Sequence, residues 1–271
     1  MSSDYFDEST AERYDRFEFD FPEKTLAGRT IILAGGAGGL GAATAVLLAR
    51  EGGRLIIGGR EASERADKLC AVLEGQGTFV AADIRTAAGR ATLFDAAGPA
   101  YGLVVFVGDP ARGSDEETLR ASMEVNYLAP ILLAREGAER MQVAHEPGAI
   151  VLFSSMQGGY PFENSTAYGS AKAALTHAAK VLAKEVGGAV NIRVNVVAPG
   201  ATMAGMAQSS LRSGKYDRFV ESGVVPRFGH AEDVARAVRF FLEPDSYVTG
   251  QVLTVDGGMT LRRDLRTKNI S

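Results

Sequence analysis

TIILAGGAGGLGAATAVLLAR, residues 30–50, is the stretch that decides the fold. A short apolar run, TIILA at 30–34, enters a glycine-rich turn and leaves it in an alanine- and leucine-rich helical stretch. The run is continuous more than alternating, the pattern of a strand buried on both faces. Glycine lets the backbone turn tightly and approach a pyrophosphate, and the following helix offers free N–H groups and the positive end of its dipole. The spacing is G-x-x-x-G-x-G over Gly35, Gly39 and Gly41, which differs from the G-x-G-x-x-G dinucleotide fingerprint. Alone the loop is modest support for a nucleotide site, because a plain strand–helix turn gives the same composition.

Outward from this unit the pattern repeats. Apolar runs at 54–58 (RLIIG), 78–82 (TFVAA), 103–107 (LVVFV), 149–153 (AIVLF), 192–197 (IRVNVV) and 251–255 (QVLTV) read as buried strands. Between them, 39–51, 63–74, 116–139, 166–186 and 231–242 have helical composition and length. Such alternation predicts βαβ crossovers and a single-domain, Rossmann-type doubly wound parallel sheet of about seven strands, with helices on both faces. The domain is expected over 25–271. Residues 202–225 lack a clear period, carry three glycines and follow the sixth strand, so they are expected to form a lid over the carboxyl ends of the strands.

Residues 1–24 differ in composition. Eight acids against three bases give this arm a net charge of −5, leaving +1 on the remainder, and six aromatic residues (Tyr5, Phe6, Tyr14, Phe17, Phe19, Phe21) make it too apolar for a purely solvating tail. The arm is expected to pack, either on its own domain or over a partner subunit or the mouth of the site.

The whole chain has 271 residues, 46% hydrophobic and 23% charged, with a net charge of −4. That is globular composition with no basic excess for nucleic acid or an anionic membrane surface. One cysteine and three scattered histidines exclude an internal disulfide and give no metal-ligand spacing. No apolar run nears the roughly 18 residues of a membrane span, and residues 1–24 lack the pattern of a secretory signal. A cytoplasmic protein without metal is expected.

Polar residues then mark the chemistry. The second strand ends Gly58-Gly59-Arg60, where an acid would accept a hydrogen bond from a ribose 2′-hydroxyl and repel a 2′-phosphate. Gly59 removes that acid and Arg60 offers a guanidinium suited to phosphate, so NADP(H) is favoured over NAD(H). The ordinary alternative for Arg60 is a surface arginine at a strand end. Tyr168 and Lys172 are four residues apart in TAYGSAKAAL, on one helix face. Lys172 could supply the field that turns a tyrosine into a usable acid–base. Ser155 closes AIVLFSS, where its hydroxyl can bond a carbonyl oxygen, and Asn126 is an amide in an apolar stretch. Y-x-x-x-K alone is common on solvated helix faces. Its place after a phosphate loop in a βαβ chain makes it specific.

Together these features resemble the short-chain dehydrogenase/reductase family across 26–260. The resemblance implies that Asn126, Ser155, Tyr168 and Lys172 are the catalytic tetrad, with the serine thirteen residues before the tyrosine. It also implies cofactor contacts from Gly35, Gly39, Leu40, Gly41 and Arg60, from Asp83 and Ile84 at the adenine, and from Gly108, Tyr168 and Lys172. Pro199, Gly200 and Thr202 resemble the segment lining the nicotinamide. Pro226-Arg227-Phe228-Gly229, Thr249-Gly250 and Val255-Asp256-Gly257-Gly258 resemble the C-terminal signatures of the family. Two departures stand out: Ala34 in place of the threonine before the loop, and Val105-Phe106-Val107-Gly108 in place of Asn-Asn-Ala-Gly, with only the glycine kept.

The expected activity is an NADP(H)-dependent interconversion of a ketone and a secondary alcohol. Tyr168 would be the general acid/base, Ser155 would hold the oxygen, Lys172 would lower the tyrosine pKa and bind the nicotinamide ribose, and Asn126 would hold a water leading to Lys172. The alternatives are an NAD-linked dehydrogenase of a diol or hydroxyacyl substrate, and a nucleotide-binding, non-catalytic partner subunit. Apolar residues in the lid (Met203, Met206, Leu211, Tyr216, Phe219, Val224, Val225) suggest a partly apolar small-molecule substrate, although any one of them could simply pack the lid. A homotetramer is implied, associating through the helices at 116–139 and 166–186.

Overall fold

Seven apolar runs pair as one parallel sheet: β1 Thr30–Ala34, β2 Arg54–Gly59, β3 Gly77–Ala81, β4 Gly102–Val105, β5 Gly148–Phe153, β6 Ile192–Pro199 and β7 Val252–Val255. Their order across the sheet is β3-β2-β1-β4-β5-β6-β7. This computed structural model describes residues 7–262. The order reverses between β1 and β4, and in sheets of this kind ligands bind in the crevice beyond the carboxyl ends at such a reversal.

The helices are α1 Glu8–Asp15, α2 Gly39–Arg50, α3 Glu64–Val72, α4 Ala87–Ala97, α5 Glu116–Met123, α6 Ala129–Ala144, α7 Met156–Gly159, α8 Thr166–Val186, α9 Ala207–Arg212, α10 Asp217–Glu221, α11 Ala231–Phe241 and α12 Met259–Arg262. Strand side chains alternate between two cores. Ile31, Leu33, Leu55 and Ile57 pack with α2, α3 and α11 through Leu48, Leu69 and Phe241. Ile32, Ile56, Leu103, Ile150 and Val194 pack with α4, α6 and α8 through Leu93, Leu133 and Leu175. Each central strand is covered on both faces, which is why its sequence reads as a continuous apolar run.

Several elements differ from expectation. The helix expected at 116–139 is α5, a π-helical turn at Glu124–Leu128 and α6, which runs to Ala144. The wide turn holds Asn126, fully buried. α4 has no counterpart in the sequence reading; its small residues let Gly89 lie against the backbone of Asp83, 2.1 Å from where a Cβ would sit. β4 ends at Val105, two residues early.

In the arm, Asp7 caps α1 by accepting from Ser9 N (3.0 Å) and Thr10 N (3.3 Å). Packing on its own domain is not what the described arm shows. Tyr14, Phe17, Phe19 and Phe21 are exposed, and Tyr14 stacks on Phe19 at 5.7 Å between ring centroids. Asp4, Tyr5 and Phe6 lie outside the described residues. The lid carries α9 and α10, and no described helix is long and apolar enough to cross a membrane.

Candidate active site

At the switch point, the first intrahelical bond of α2 runs from Ala42 N to Gly38 O at 2.8 Å. The helix has no side-chain cap and no acid in its first turn. Its N-terminal donors and dipole are therefore not neutralised by a side-chain cap or a first-turn acid of the helix itself. The loop stays tight because a Cβ on Gly41 would lie 2.5 Å from Gly36 O. Gly39 faces the lid: Gly205 N sits 2.5 Å from the position of a Gly39 Cβ. The geometry fits a pyrophosphate approached by bare backbone.

Beside the glycine loop lies a residue that the sequence alone does not mark. Arg65, in the first turn of α3, donates from Nε to Ala37 O of the glycine loop at 2.6 Å. No spacing rule points to it; only the fold lays α3 beside the loop. Arg60 is exposed at the end of β2, and its charge helps hold Asp83 ionised. The larger influence on Asp83 is Arg85, whose Nη2 lies 2.5 Å from Oδ2 and whose hydrogen bonds hold the carboxyl below its ordinary value. Ile84 is buried among the sheet core with Leu93 and Phe94. A Cβ at Gly59 would meet the Phe79 ring at 2.9 Å, so that ring is a packing reason for the glycine.

Ser155, Tyr168 and Lys172 come together, with Leu40, Phe106, Phe153, Pro199, Gly200 and Thr202, on the wall of one cleft of about 1460 Å³. Ser155 lies two residues past the end of β5 and caps α7, accepting from Gln157 N at 3.2 Å. Burial raises the Tyr168 pKa above its ordinary value, while a hydrogen bond with the Ser155 side chain pulls it down. Lys172 is 2% exposed. Its Nζ donates to Phe153 O at 2.9 Å and to Val107 O at 3.5 Å, and it lies 5.9 Å from the centroid of the Tyr168 ring. Burial lowers its pKa to about 7. The Ser155 side chain offsets part of the effect of burial at Tyr168, and the lysine Nζ is held by two backbone carbonyls.

Asn126 lies behind this wall. Its Oδ1 accepts from Asp109 N at 2.9 Å, and its Nδ2 donates to Asp109 O at 2.9 Å and to Ser122 Oγ at 3.1 Å. It thereby pins the turn after β4. A Cβ on Gly108 would sit 3.0 Å from Asn126 Oδ1 and 3.2 Å from Lys172 Nζ, a close approach that explains why the glycine survives while its neighbours change. Val107 still supplies one of the carbonyls that Lys172 uses, and Phe106 packs tilted against Phe153 with centroids 4.4 Å apart, making an aromatic patch in the cleft. Thr202 is buried and donates to Gly200 O at 3.2 Å.

Residues 35–260 match the family model described as enoyl-(acyl carrier protein) reductase. The chain is 31% identical over 260 residues to the 7alpha-hydroxysteroid dehydrogenase of Bacteroides fragilis, covering 86% of this chain and 95% of that protein. A solved short-chain type dehydrogenase/reductase from Mycobacterium ulcerans matches with a TM-score of 0.79 at 28% identity, over 87% of this chain and 91% of that one. A 7 alpha-hydroxysteroid dehydrogenase complexed with NADH and 7-oxo glycochenodeoxycholic acid also gives 0.79, at 27% identity, over 88% of this chain and 98% of that one.

Proposed function

This chain belongs to the short-chain dehydrogenase/reductase family, and from that premise we propose that it interconverts a ketone and a secondary alcohol with NADP(H). It is an oxidoreductase acting on CH–OH or C=O groups with a nicotinamide cofactor. The observation that carries the finer reading is the gathering of Ser155, Tyr168 and buried Lys172 on one cleft wall.

A nicotinamide dinucleotide, when bound, supplies or accepts the hydride. In the reductive direction Tyr168 gives its phenolic proton to the carbonyl oxygen, and Ser155 donates to the same oxygen as charge builds on it. Lys172 stands near its titration point at neutral pH. An anionic group in the cleft favours its ammonium form, and the ammonium in turn favours the Tyr168 phenolate left after proton transfer. The carboxamide of Asn126 is committed to Asp109 and Ser122. In this reading it positions the Gly108 turn and borders the water path to Lys172, without holding that water by its own amide. The pyrophosphate would lie on the Gly35–Gly41 loop with Leu40, the adenine near Asp83 and Ile84, and the nicotinamide near Pro199, Gly200 and Thr202.

The cofactor preference rests on Gly59, Arg60 and Arg65. Two guanidinium groups at the end of β2 and the start of α3, with no acid at Gly59, suit a 2′-phosphate. A relative is known with NADH, so titration of both cofactors decides the point. Exposed Met123, Leu128 and Val181 on or beside α5 and α8 support association of these helices in a homotetramer, over which the aromatic arm could lie; light scattering tests it. A cytoplasmic site of action is part of the same proposal.

The direct test mixes the protein with NADPH and a panel of ketones and follows loss of NADPH absorbance. Turnover supports the reading. NADPH binding without turnover across the panel would instead favour a non-catalytic partner subunit.

A further inference from the structure

The substrate end of the cleft is charged in a one-sided way. Arg112 lines one rim, on the segment after β4, while Lys215 and Arg218 line the other, on and before α10. Among the described residues lining the cleft, Glu163 is the one acid. None of the three cations has a carboxylate within 4.0 Å among the described residues. Arginine–carboxylate pairs do form elsewhere, at Arg90–Glu136, Arg227–Asp233 and Arg239–Glu51. The rim cations are nevertheless held. Arg112 Nη2 reaches across to Ser209 Oγ on the lid at 3.3 Å. Lys215 Nζ lies 5.4 Å from the Tyr216 ring centroid and Arg218 Cζ 4.9 Å from that of Phe219, and both rings are buried in the lid.

Like charges gathered on both rims of a cleft repel one another and focus a positive potential into it. A ligand that neutralises them recovers that energy, and a guanidinium offers paired donors to a carboxylate or phosphate. We propose that Arg112, Lys215 and Arg218 form an anion subsite, so that the substrate is a ketone or secondary alcohol bearing a carboxylate or phosphate away from the reacting carbon. This rests on the ketone–alcohol reading above and assigns the charge of its substrate. The same ligand would tie the lid to the β4 rim, because its cations come from both.

The test uses the full chain saturated with NADPH and two matched pairs of ketones. These are 4-acetylbenzoate against its methyl ester, and 4-acetylphenyl phosphate against 4-acetylphenyl acetate. Dissociation constants are measured by calorimetry, and turnover separately. At least one anion is expected to bind about tenfold more tightly than its neutral partner, with the advantage shrinking as salt rises. Arg112→Gln and Arg218→Gln should each weaken anion binding about 2- to 5-fold, the range for exposed charge pairs, and leave the neutral ketones unchanged. Glu163→Gln should act in the opposite sense and tighten the anion. If the carboxylate wins over the phosphate, the subsite reads a carboxylic acid; the reverse order assigns a phosphate ester. Equal binding of both members in both pairs, no binding of any, or insensitivity to the arginine variants overturns the proposal. Turnover of the neutral ketones with no preference for anions sinks the subsite and leaves the reductase reading intact. Preferential anion binding without turnover of any ketone supports the subsite and sinks the reductase reading.

Discussion

The two ends of the cleft are built differently. The glycine-loop end is made of backbone packed against backbone: a Gly41 Cβ would lie 2.5 Å from Gly36 O, and the loop grows directly out of β1, whose residues are buried in both sheet cores. The lid end is made of side chains. Tyr216, Phe219, Val224 and Val225 form a small core of their own with Met156, Ala201 and Met259. The lesson is that tolerance to change is set by what touches what. One end admits almost no added atom, and the other is an apolar patch that can repack while the strands stand.

The largest effect is expected between the ends, at the reacting group. Tyr168→Phe removes the proton donor and little volume, so turnover should fall by about 10²–10⁴ while calorimetric NADPH affinity stays near that of the unchanged protein. Retention of more than a few per cent of turnover would reject Tyr168 as the acid. Next comes the rigid end. Gly41→Ala forces a methyl against Gly36, and overpacking of this kind costs about 1–3 kcal/mol. NADPH affinity should fall with it. An alanine variant that binds NADPH as well as the parent would mean that the loop yields, and the contrast between the two ends would collapse.

The same contrast decides what the sequence could show. β1 is found residue for residue, and the other strands within about two residues, because burial of the central strands on both faces leaves continuous apolar runs bounded by turn residues. Tyr168, Lys172 and Ser155 are legible because helix period and strand end bring them to one wall. The π-helical turn at Asn126 leaves no mark in composition. Arg65 is not legible because its partner is a backbone carbonyl of the glycine loop, a contact created by tertiary packing. In the lid, apolar residues expected to meet substrate divide: Met203 and Met206 are exposed, while Tyr216, Phe219, Val224 and Val225 are buried in the lid's own core. A non-periodic stretch gives no signal that separates the two roles.

Cofactor choice comes third in size. NADPH should bind at least about tenfold more tightly than NADH, since a well-made charge-assisted bond is worth roughly 1.5–3 kcal/mol. Arg60→Ala and Arg65→Ala should each reduce that ratio, and added salt should reduce it further because both groups are exposed. Gly59→Asp with Arg60→Ala should reverse the preference by restoring an acceptor for the 2′-hydroxyl. Because an added Cβ there lies 2.9 Å from the Phe79 ring, the reversal reads cleanly only with Phe79→Ala alongside. Equal affinity for the two cofactors in the unchanged protein would return both arginines to ordinary surface roles.

Lys172 gives a fourth effect, in stability. Its pKa is about 7 in the fold against 10.5 as the ordinary value, so between these limits the unfolded chain binds a proton that the folded protein does not. Stability must then rise with pH across roughly 7 to 10.5, by at most about 1.4 kcal/mol per pH unit from this group, and the gain is lost as pH falls back through 7. Lys172→Met should flatten that slope in the cofactor-free protein, measured by urea unfolding, besides lowering turnover and NADPH affinity. Parallel slopes in the two proteins would show that the lysine is charged in the fold across that range.

The smallest expected effect is the sharpest test of the comparison. Phe219 is buried, yet the cluster it belongs to joins lid residues with Met156 of α7, Ala201 and Met259 of α12, and includes no strand residue. Leu103 is smaller but lies in the sheet core with residues of α4, α6 and α8. Truncating a buried leucine costs about 2–5 kcal/mol, which in a domain of this size lowers Tm by about 5–15 °C. If the lid opens as a unit of its own, Phe219→Ala draws mainly on the stability of that unit and little on the global unfolding free energy. Its Tm should fall by less than about 3 °C, while amide exchange over 203–225 accelerates and exchange in β1, β4 and β5 is unchanged. A Tm loss equal to that of Leu103→Ala, with exchange rising across the strands, would show that the lid is part of the main cooperative core and that the two ends of the cleft stand or fall together.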